Sequence, residues 1–178
     1  MLTAPVQSAQ EVASNTTFEA LLWSLSRPGL SRTVSEPSDV AIIDALIDRE
    51  CRVYSADPIL MQQIMRSGAQ VAEIADADHV FLAALKDLTT MEEIARGSDL
   101  YPDGGATVVL RVDLDHGPRV LLSGPGVDDV LEVQIGGLPV GFWQRRTELI
   151  RYPMGFDLFL RDGSRVIGIP RSTKVEVL

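Results

Sequence analysis

Residues 104–126 contain two apolar runs separated by a turn-forming segment. Residues 106–112 are β-branched and apolar, residues 119–123 are apolar again, and residues 113–118 between them are acidic and rich in turn formers. Glycines open the stretch and Gly-Pro-Gly closes it, which is typical of strand ends. The pattern predicts two paired antiparallel strands. Because neither run alternates strictly between apolar and polar residues, we expect both strands to be covered on both faces, in the middle of a sheet.

Helical and strand patterns are mixed along the rest of the chain. The first helix is predicted from the apolar spacing of Phe18, Leu21, Leu22 and Leu25, with Thr16 and Glu19 as its capping box. Further helices are predicted over residues 40–47, from Asp57-Pro58 to Gly68, and over residues 88–95. The last predicted helix has Val140, Trp143, Thr147 and Ile150 along one side. Strands are predicted at residues 30–34, 52–55, 79–84 and 130–135, and in a hairpin of residues 157–160 and 165–169 turning at Asp162-Gly163. This order predicts a single α/β domain over residues 1–178, with a three-layer mixed β-sheet flanked by helices.

The chain is acidic, but its charge is unevenly distributed. The formal net charge is −9, which disfavours binding to nucleic acid. Residues 139–178 nevertheless carry a net charge of +3, against −12 for the remainder. An anionic ligand or acidic partner is therefore expected to meet the C-terminal segment. The alternative is that these basic residues form an ordinary solvated surface, with Arg145, Arg146 and Arg151 mostly off the apolar side of their helix.

Cysteine usage and the N-terminal residues predict a cytoplasmic protein. Cys51 has no second cysteine with which to form a disulfide in the chain, as is typical of a reducing compartment. The first basic residue is Arg27, so the N-terminus does not have the pattern of a signal peptide. The longest wholly apolar run, residues 80–85, is far shorter than the roughly 20 residues that a membrane helix needs. We expect no contact with a membrane.

Metal-binding and catalytic patterns are weak. His79 and His116 lie far apart in the sequence, and we interpret them as a residue packed beside a strand and a turn residue. Cys51 is interpreted as a small buried hydrophobe, and no Gly-x-Ser-x-Gly motif is present. We predict that this chain contributes no catalytic residue and binds neither a metal ion nor a cofactor.

The segment Pro170-Arg171-Ser172-Thr173-Lys174 is the most specific candidate for a binding site. One arginine, two hydroxyls and one lysine directly after a strand provide charge-assisted donors for an anion. The predicted sheet brings Arg27, Asp157, Arg171, Ser172 and Thr173 toward one cleft or interface, where they would contact a ligand or a partner. In the alternative interpretation, the two arginines pair with carboxylates such as Asp157 and hold the ends of the fold.

Four motifs together resemble the PhnH family, whose members are subunits of the carbon–phosphorus lyase system. The motifs are residues 18–29 (FEALLWSLSRPG), Gly105 with residues 122–126 (LSGPG), residues 152–157 (YPMGFD) and residues 169–173 (IPRST). They occur in the order that the family has, along nearly the whole chain. Leu25 stands where a methionine is frequent, and Ser172 where a threonine is common.

That resemblance implies a fold, a function and a set of partners. The fold would be similar to that of pyridoxal-phosphate-dependent transferases, without their cofactor site. The chain would be a subunit of the complex that attaches an alkylphosphonate to the ribose of ATP, before a separate radical-SAM subunit cleaves the C–P bond. Its partners would be the sister subunits, and its ligand a phosphonate or a nucleotide. A pyridoxal enzyme needs a lysine, and this chain has Lys86 and Lys174 alone.

Two other functions stay open from the sequence. One is a small free-standing enzyme similar to a transferase, and the other is a dimeric module that binds an anion. A subunit of a complex should bury apolar surface against other chains, so we predict at least a homodimer in isolation. Trp23, Phe142 and Trp143 are large aromatic residues on predicted helices, suited to such contacts or to the core.

Overall fold

The computed structural model describes residues 6–178 and has a mixed α/β fold. Its helices are α1 (Ala9–Ser26), α2 (Asp39–Leu46), α3 (Met61–Ser67), α4 (Thr90–Glu93) and α5 (Phe142–Leu149), with short 3-10 turns at Pro58–Leu60, Ile74–Asp76 and Pro102–Gly104. Its strands are β1 (Arg32–Thr33), β2 (Arg52–Ser55), β3 (Gln70–Val71), β4 (His79–Phe81), β5 (Thr107–Arg111), β6 (Asp113–Ser123), β7 (Leu131–Gly136), β8 (Asp157–Asp162), β9 (Arg165–Ile169) and β10 (Lys174–Val177). No helix in the described residues is long and apolar enough to cross a membrane.

Seven strands form one mixed sheet in the order β1-β9-β8-β5-β4-β2-β3. Strands β3, β2, β4, β5 and β8 run parallel to one another, whereas β9 is antiparallel to β8 and β1 is antiparallel to β9. The other three strands form a second, antiparallel sheet in the order β10-β6-β7. The prediction of an α/β fold with a mixed sheet is confirmed.

Each face of the large sheet has its own apolar core. On one face, helices α1 to α3 pack against Phe81, Val109, Phe159 and Val166 of the sheet, with Leu21, Ile42, Ile43 and Ile64 as helical partners. On the other face, α5 and the small sheet pack against Val108, Leu110, Leu158 and Leu160, through Leu114, Leu122, Ile135, Phe142 and Trp143. Alternate residues of one strand thus enter different cores, as expected for strands covered on both sides.

The predicted pairing of residues 106–112 with residues 119–123 is wrong. Strand β5 lies between β4 and β8 in the large sheet, as the prediction of a central strand required, but β6 belongs to the small sheet. The predicted turn of residues 113–118 is the first part of β6, where its pairing with β7 shifts register between Leu114 and Arg119. Only part of β6 is buried, so the expectation of cover on both faces holds for β5 alone.

Helix α1 begins earlier than predicted and buries a different face. Ser8, and not Thr16, caps it: the Ser8 side chain accepts a hydrogen bond from the Glu11 amide, and the Glu11 carboxylate accepts one from the Ser8 amide. Leu21 is buried, but Phe18 and Leu22 of the predicted apolar stripe are exposed. Small side chains such as Ser24 are buried instead, because α1 approaches Gly168 of β9 closely: a Cβ there would lie 2.6 Å from the Ser24 carbonyl oxygen.

The residues predicted to begin and end the third helix are confirmed by the structure. Asp57 caps the turn that leads into α3, and Gly68 ends α3 with a φ of 81°. The hairpin of β8 and β9 forms as predicted, but its turn residues are Gly163 and Ser164, because Asp162 pairs with Arg165 as the last residue of β8. Strand β2 has the predicted bounds. Val140, predicted to lie on the last helix on the same side as Trp143, precedes α5 and is 98% exposed.

A buried carboxylate joins α2 to the large sheet. Asp39 accepts hydrogen bonds from Arg161 Nε at 2.5 Å and from Arg111 Nε at 2.7 Å, and its side chain is 1% exposed. Arg111 and Arg161 stand opposite each other on β5 and β8, where like charges repel. Asp57 pairs with Arg111 as well, at 3.0 Å. Two carboxylates therefore compensate two arginines at this end of the sheet.

His79, at the start of β4, is mostly buried. Its Nδ1 atom has no hydrogen-bond partner within residues 6–178. Burial lowers the pKa of the imidazole below its ordinary value of 6.5, because the charged form loses hydration. The position agrees with the prediction of a histidine packed on a strand.

Acidification is expected to weaken the fold through His79. A histidine whose pKa is lowered by folding binds more protons when unfolded, so its contribution to stability falls as pH drops through and below 6.5. Each pKa unit corresponds to about 1.4 kcal/mol. Urea unfolding at about pH 7.5 and about pH 5.5 should show this loss in the wild type and a smaller one in His79→Phe. His116→Gln controls for the loss of one histidine, and equal losses in wild type and His79→Phe would contradict the assignment.

Candidate functional site

Arg171 and Asp157 form the centre of the region that the sequence singled out. Arg171 Nη2 lies 2.7 Å from Asp157 Oδ2, and the Arg171 amide donates to Asp157 Oδ1 at 2.7 Å. Arg171 also donates to the carbonyl oxygens of Pro102, at 2.6 Å, and Gly105, at 3.2 Å. These bonds tie the segment after β9 to the start of β8 and to the turn before β5. Most N–H groups of the Arg171 guanidinium are therefore occupied within the chain.

The motifs that are separate in the sequence touch one another in the fold. A Cβ at Gly105 would collide with the carbonyl oxygen of Gly155 and lie 2.5 Å from Arg171 Nη1. A Cβ at Gly124 would lie 3.0 Å from the carbonyl oxygen of Ser172. One at Gly126, which has a φ of 83°, would collide with the carbonyl oxygen of Ser26 at the end of α1. Glycine is required at these contacts because the backbones approach so closely.

The structure brings four of the five predicted site residues together. Arg171, Ser172 and Thr173 line a cleft of about 380 Å³ between α5 and the segment leading into β10, and Asp157 is bonded to Arg171. Arg27 does not line this cleft. It is exposed after α1, separated from Ser172 by the loop of residues 124–126, and none of the hydrogen bonds or ion pairs found in residues 6–178 involves its guanidinium.

Arg146 is a buried arginine of the same cleft that the sequence did not single out. It lies on α5, is 2% exposed and donates from Nη1 to the Thr173 carbonyl oxygen at 3.1 Å and from Nη2 to that of Pro170 at 2.8 Å. Its Nε and the Thr173 hydroxyl are buried without a hydrogen-bond partner in the described part of the chain. Burial lowers the pKa of Arg146 to about 10, with Asp157 opposing the shift, so the side chain keeps its charge at neutral pH.

The interpretation of Arg146 as a residue off the apolar side of its helix is wrong. It follows Trp143 by three positions and precedes Ile150 by four, which places all three on one side of a helix. The spacing was available in the sequence, but a charged residue in a basic run is usually solvated. Only the tertiary structure shows that two backbone carbonyls of the segment after β9 receive its donors.

Other reactive groups of the chain stay apart from this cleft. Lys86 lies at a second, larger cleft of about 510 Å³ beside Tyr54, near the carboxyl ends of β2 and β4. Burial raises the pKa of the Cys51 thiol, which disfavours its reactive form. Within residues 6–178, no three His, Cys, Asp or Glu side chains are grouped so that they could hold a metal ion.

Fold and cleft together define a mixed α/β protein with a basic cleft beside its large sheet. A family model described as bacterial phosphonate metabolism protein (PhnH) matches residues 3–176. The putative C-P lyase subunit protein HtxG of Stutzerimonas stutzeri is 30% identical over 189 residues, which cover 99% of this chain and 95% of that protein. The alpha-D-ribose 1-methylphosphonate 5-triphosphate synthase subunit PhnH of Rhizobium meliloti (strain 1021) is 27% identical over 191 residues, covering 97% and 92%. The chain belongs to the PhnH family, which confirms the resemblance seen in its motifs.

Proposed function

We propose that this chain is an accessory, non-catalytic subunit of a carbon–phosphorus lyase complex. It would act in the catabolism of organic phosphonates at the stage where an alkylphosphonate is attached to the ribose of ATP, before the C–P bond is cleaved. The observation that carries this proposal is the extent of the match. The family model and both relatives correspond to nearly the whole chain, so the proposal does not rest on one shared motif.

The chemistry of the described residues supports a role without catalysis. The thiol of Cys51 has a raised pKa, and His79 is mostly buried at the start of β4. Arg171 and Asp157 satisfy each other, as in a structural pair. We assign to Arg27, Asp157, Arg171, Ser172 and Thr173 a contact with a ligand or with a sister subunit. The ligand would be a phosphonate or a nucleotide, and we assign no metal ion or cofactor.

We further propose a single cytoplasmic domain over residues 1–178, with a fold similar to that of pyridoxal-phosphate-dependent transferases but lacking their cofactor site. The large sheet supports this proposal, since most of its strands are parallel and helices pack on both faces. Contact with a membrane or with nucleic acid is not part of the proposed role.

A homodimer is proposed for the isolated chain. Phe18, Leu22 and Trp23 on α1 and Leu30 after it are each roughly half exposed, and the Arg32 guanidinium lies 4.9 Å from the centre of the Trp23 ring. Such an apolar surface is typical of protein contacts. Light scattering at high protein concentration is expected to give at least twice the chain mass. A mass near 19.4 kDa would contradict the homodimer.

Growth on a phosphonate tests the proposed function. A bacterial strain lacking its own PhnH-family gene should regain growth on methylphosphonate as the sole phosphorus source when it carries this chain. Growth on inorganic phosphate is the control, since it bypasses the pathway. The chain should also co-purify with the sister subunits from the restored strain. Failure of both growth and co-purification, with soluble chain present in the cells, would reject the proposal.

A further inference from the structure

The cleft beside α5 carries an excess of positive charge in an otherwise acidic chain. Three of the nine residues that line it are basic, namely Arg146, Arg171 and Lys174, and none is acidic. Asp157, bonded to Arg171 from behind, compensates one of these charges. The second cleft, by contrast, has Asp87 beside Lys86 and is locally balanced. The chain as a whole has a net charge of −9, so the local excess is not a product of composition.

Arg146 is the unusual member of this group. A charged side chain that is nearly fully buried is ordinarily paired with an opposite charge, because its hydration has been lost. Arg146 instead donates to two neutral carbonyl oxygens, leaves Nε unpartnered, and has no ion pair among residues 6–178. Beside it, the Thr173 hydroxyl is also buried without a partner in that range. The wall of this cleft thus contains a buried positive charge without an opposite charge in the described residues, which favours an anionic ligand.

We propose that this cleft binds an oxyanion of the phosphate class, either a phosphonate or the phosphate of a nucleotide. The choice of ligand rests on the proposed function, whereas the need for an anion follows from the charge of the cleft. Arg146 supplies the buried charge and Lys174 supplies an exposed charge at the rim. Ser172 and Thr173 line the same space, and the Thr173 hydroxyl is buried in its wall. Arg171 holds the wall of the cleft, since Asp157, Pro102 and Gly105 occupy its donors.

The dimensions of the cleft suit a small ligand. Its volume of about 380 Å³ lies within the usual range of roughly 300–1,000 Å³ for small-molecule sites. Ile150 and Val175 provide apolar walls, and Tyr152 stands exposed beside the opening. In such a partly desolvated space, a buried guanidinium attracts an anion more strongly than a surface arginine does.

Titration calorimetry of the purified chain tests this proposal. Inorganic phosphate, methylphosphonate and ATP are titrated separately, in chloride buffers of equal ionic strength. At least one of the three should bind saturably at one site, and their order of affinity distinguishes a phosphonate site from a nucleotide site. The absence of saturable binding of all three would overturn the proposal. An acidic side chain of a partner subunit would then remain as the occupant of the cleft.

Three variants connect the binding to this cleft. Arg146→Gln should weaken it about 10- to 100-fold, as expected for the loss of a charged hydrogen-bonding group. Lys174→Gln should weaken it about 5-fold, whereas Lys86→Gln, which removes the other lysine, should leave it unchanged. Thr173→Val should raise the melting temperature of the ligand-free chain, because it removes an unsatisfied hydroxyl, and should still weaken binding.

The same variants distinguish a failure of the anion site from a failure of the proposed accessory function. If Arg146→Gln does not fold, Lys174→Gln and Thr173→Val decide the question. Binding that is unchanged in both variants would place the anion elsewhere and overturn the proposal. Growth on methylphosphonate without anion binding would reject the cleft as an anion site but leave the accessory function standing. Anion binding without restored growth would reject the accessory function but leave the cleft standing as an anion site.

Discussion

Replacing Asp39 by asparagine is expected to lower the free energy of unfolding by about 3–5 kcal/mol. Asp39 is the carboxylate between Arg111 and Arg161, which stand opposite each other on β5 and β8. Without its charge, Arg161 is left buried, 7% exposed, beside a second positive charge. Because charged groups lose most of their hydration when buried, the uncompensated arginine destabilises the folded state.

Urea unfolding measures this effect, and an exposed aspartate provides the matched control. Asp115 pairs with Arg165, but the Asp115 side chain is 74% exposed. Asp115→Asn should therefore change the free energy of unfolding by no more than about 1 kcal/mol. If the two variants lost similar amounts of stability, the assignment of Asp39 as the buried charge that organises this end of the sheet would be wrong.

Replacing Arg171 by alanine is expected to lower the free energy of unfolding by about 3 kcal/mol, since hydrogen bonds to charged groups contribute about 1.5–3 kcal/mol each. The variant loses the pair with Asp157 and the bonds to the carbonyl oxygens of Pro102 and Gly105. Arg165→Ala is the control, because its two ion pairs are more exposed. It should cost no more than about 1 kcal/mol.

The result for Arg171 also decides how growth experiments are read. If Arg171→Ala melts well below the wild type, a failure to grow on a phosphonate reflects loss of the folded chain. If it melts normally and growth still fails, the side chain contacts a ligand or a sister subunit directly. A variant that melts normally and supports full growth would remove Arg171 from the site.

Structural features that depend on neighbouring residues could be predicted from the sequence. The cap at Asp57 and the stop at Gly68 act within a few residues, and both were predicted correctly. The hairpin of β8 and β9 was predicted too, with its turn one residue before the observed Gly163-Ser164. The pairing of strands depends on distant residues, and here the prediction was wrong. Strands β5 and β6 are neighbours in the sequence, yet β8, from far along the chain, lies beside β5. A turn between two apolar runs does not tell which sheet each run joins.

In the candidate site, too, residues in recognisable motifs were predicted, whereas a residue whose role depends on distant contacts was missed. Asp157, Arg171, Ser172 and Thr173 were predicted because their motifs combine charge with turn residues, and the fold does bring them together. Arg146 was missed because its importance depends on two carbonyl oxygens contributed by residues 170 and 173. Burial of a charge is a property of the packed molecule, and the helical spacing of Arg146 with Trp143 and Ile150 indicates only the side of the helix on which it lies.

The contact of α1 with β9 has a consequence for the order in which the chain folds. Helix α1 is synthesised well before the backbone that it packs against, at Gly168 of β9, because more than a hundred residues separate the two in the sequence. Until then the apolar side of α1 lacks this partner in the sheet. Because folding slows when the principal contacts join residues distant in sequence, the docking of α1 on β9 should be a late event.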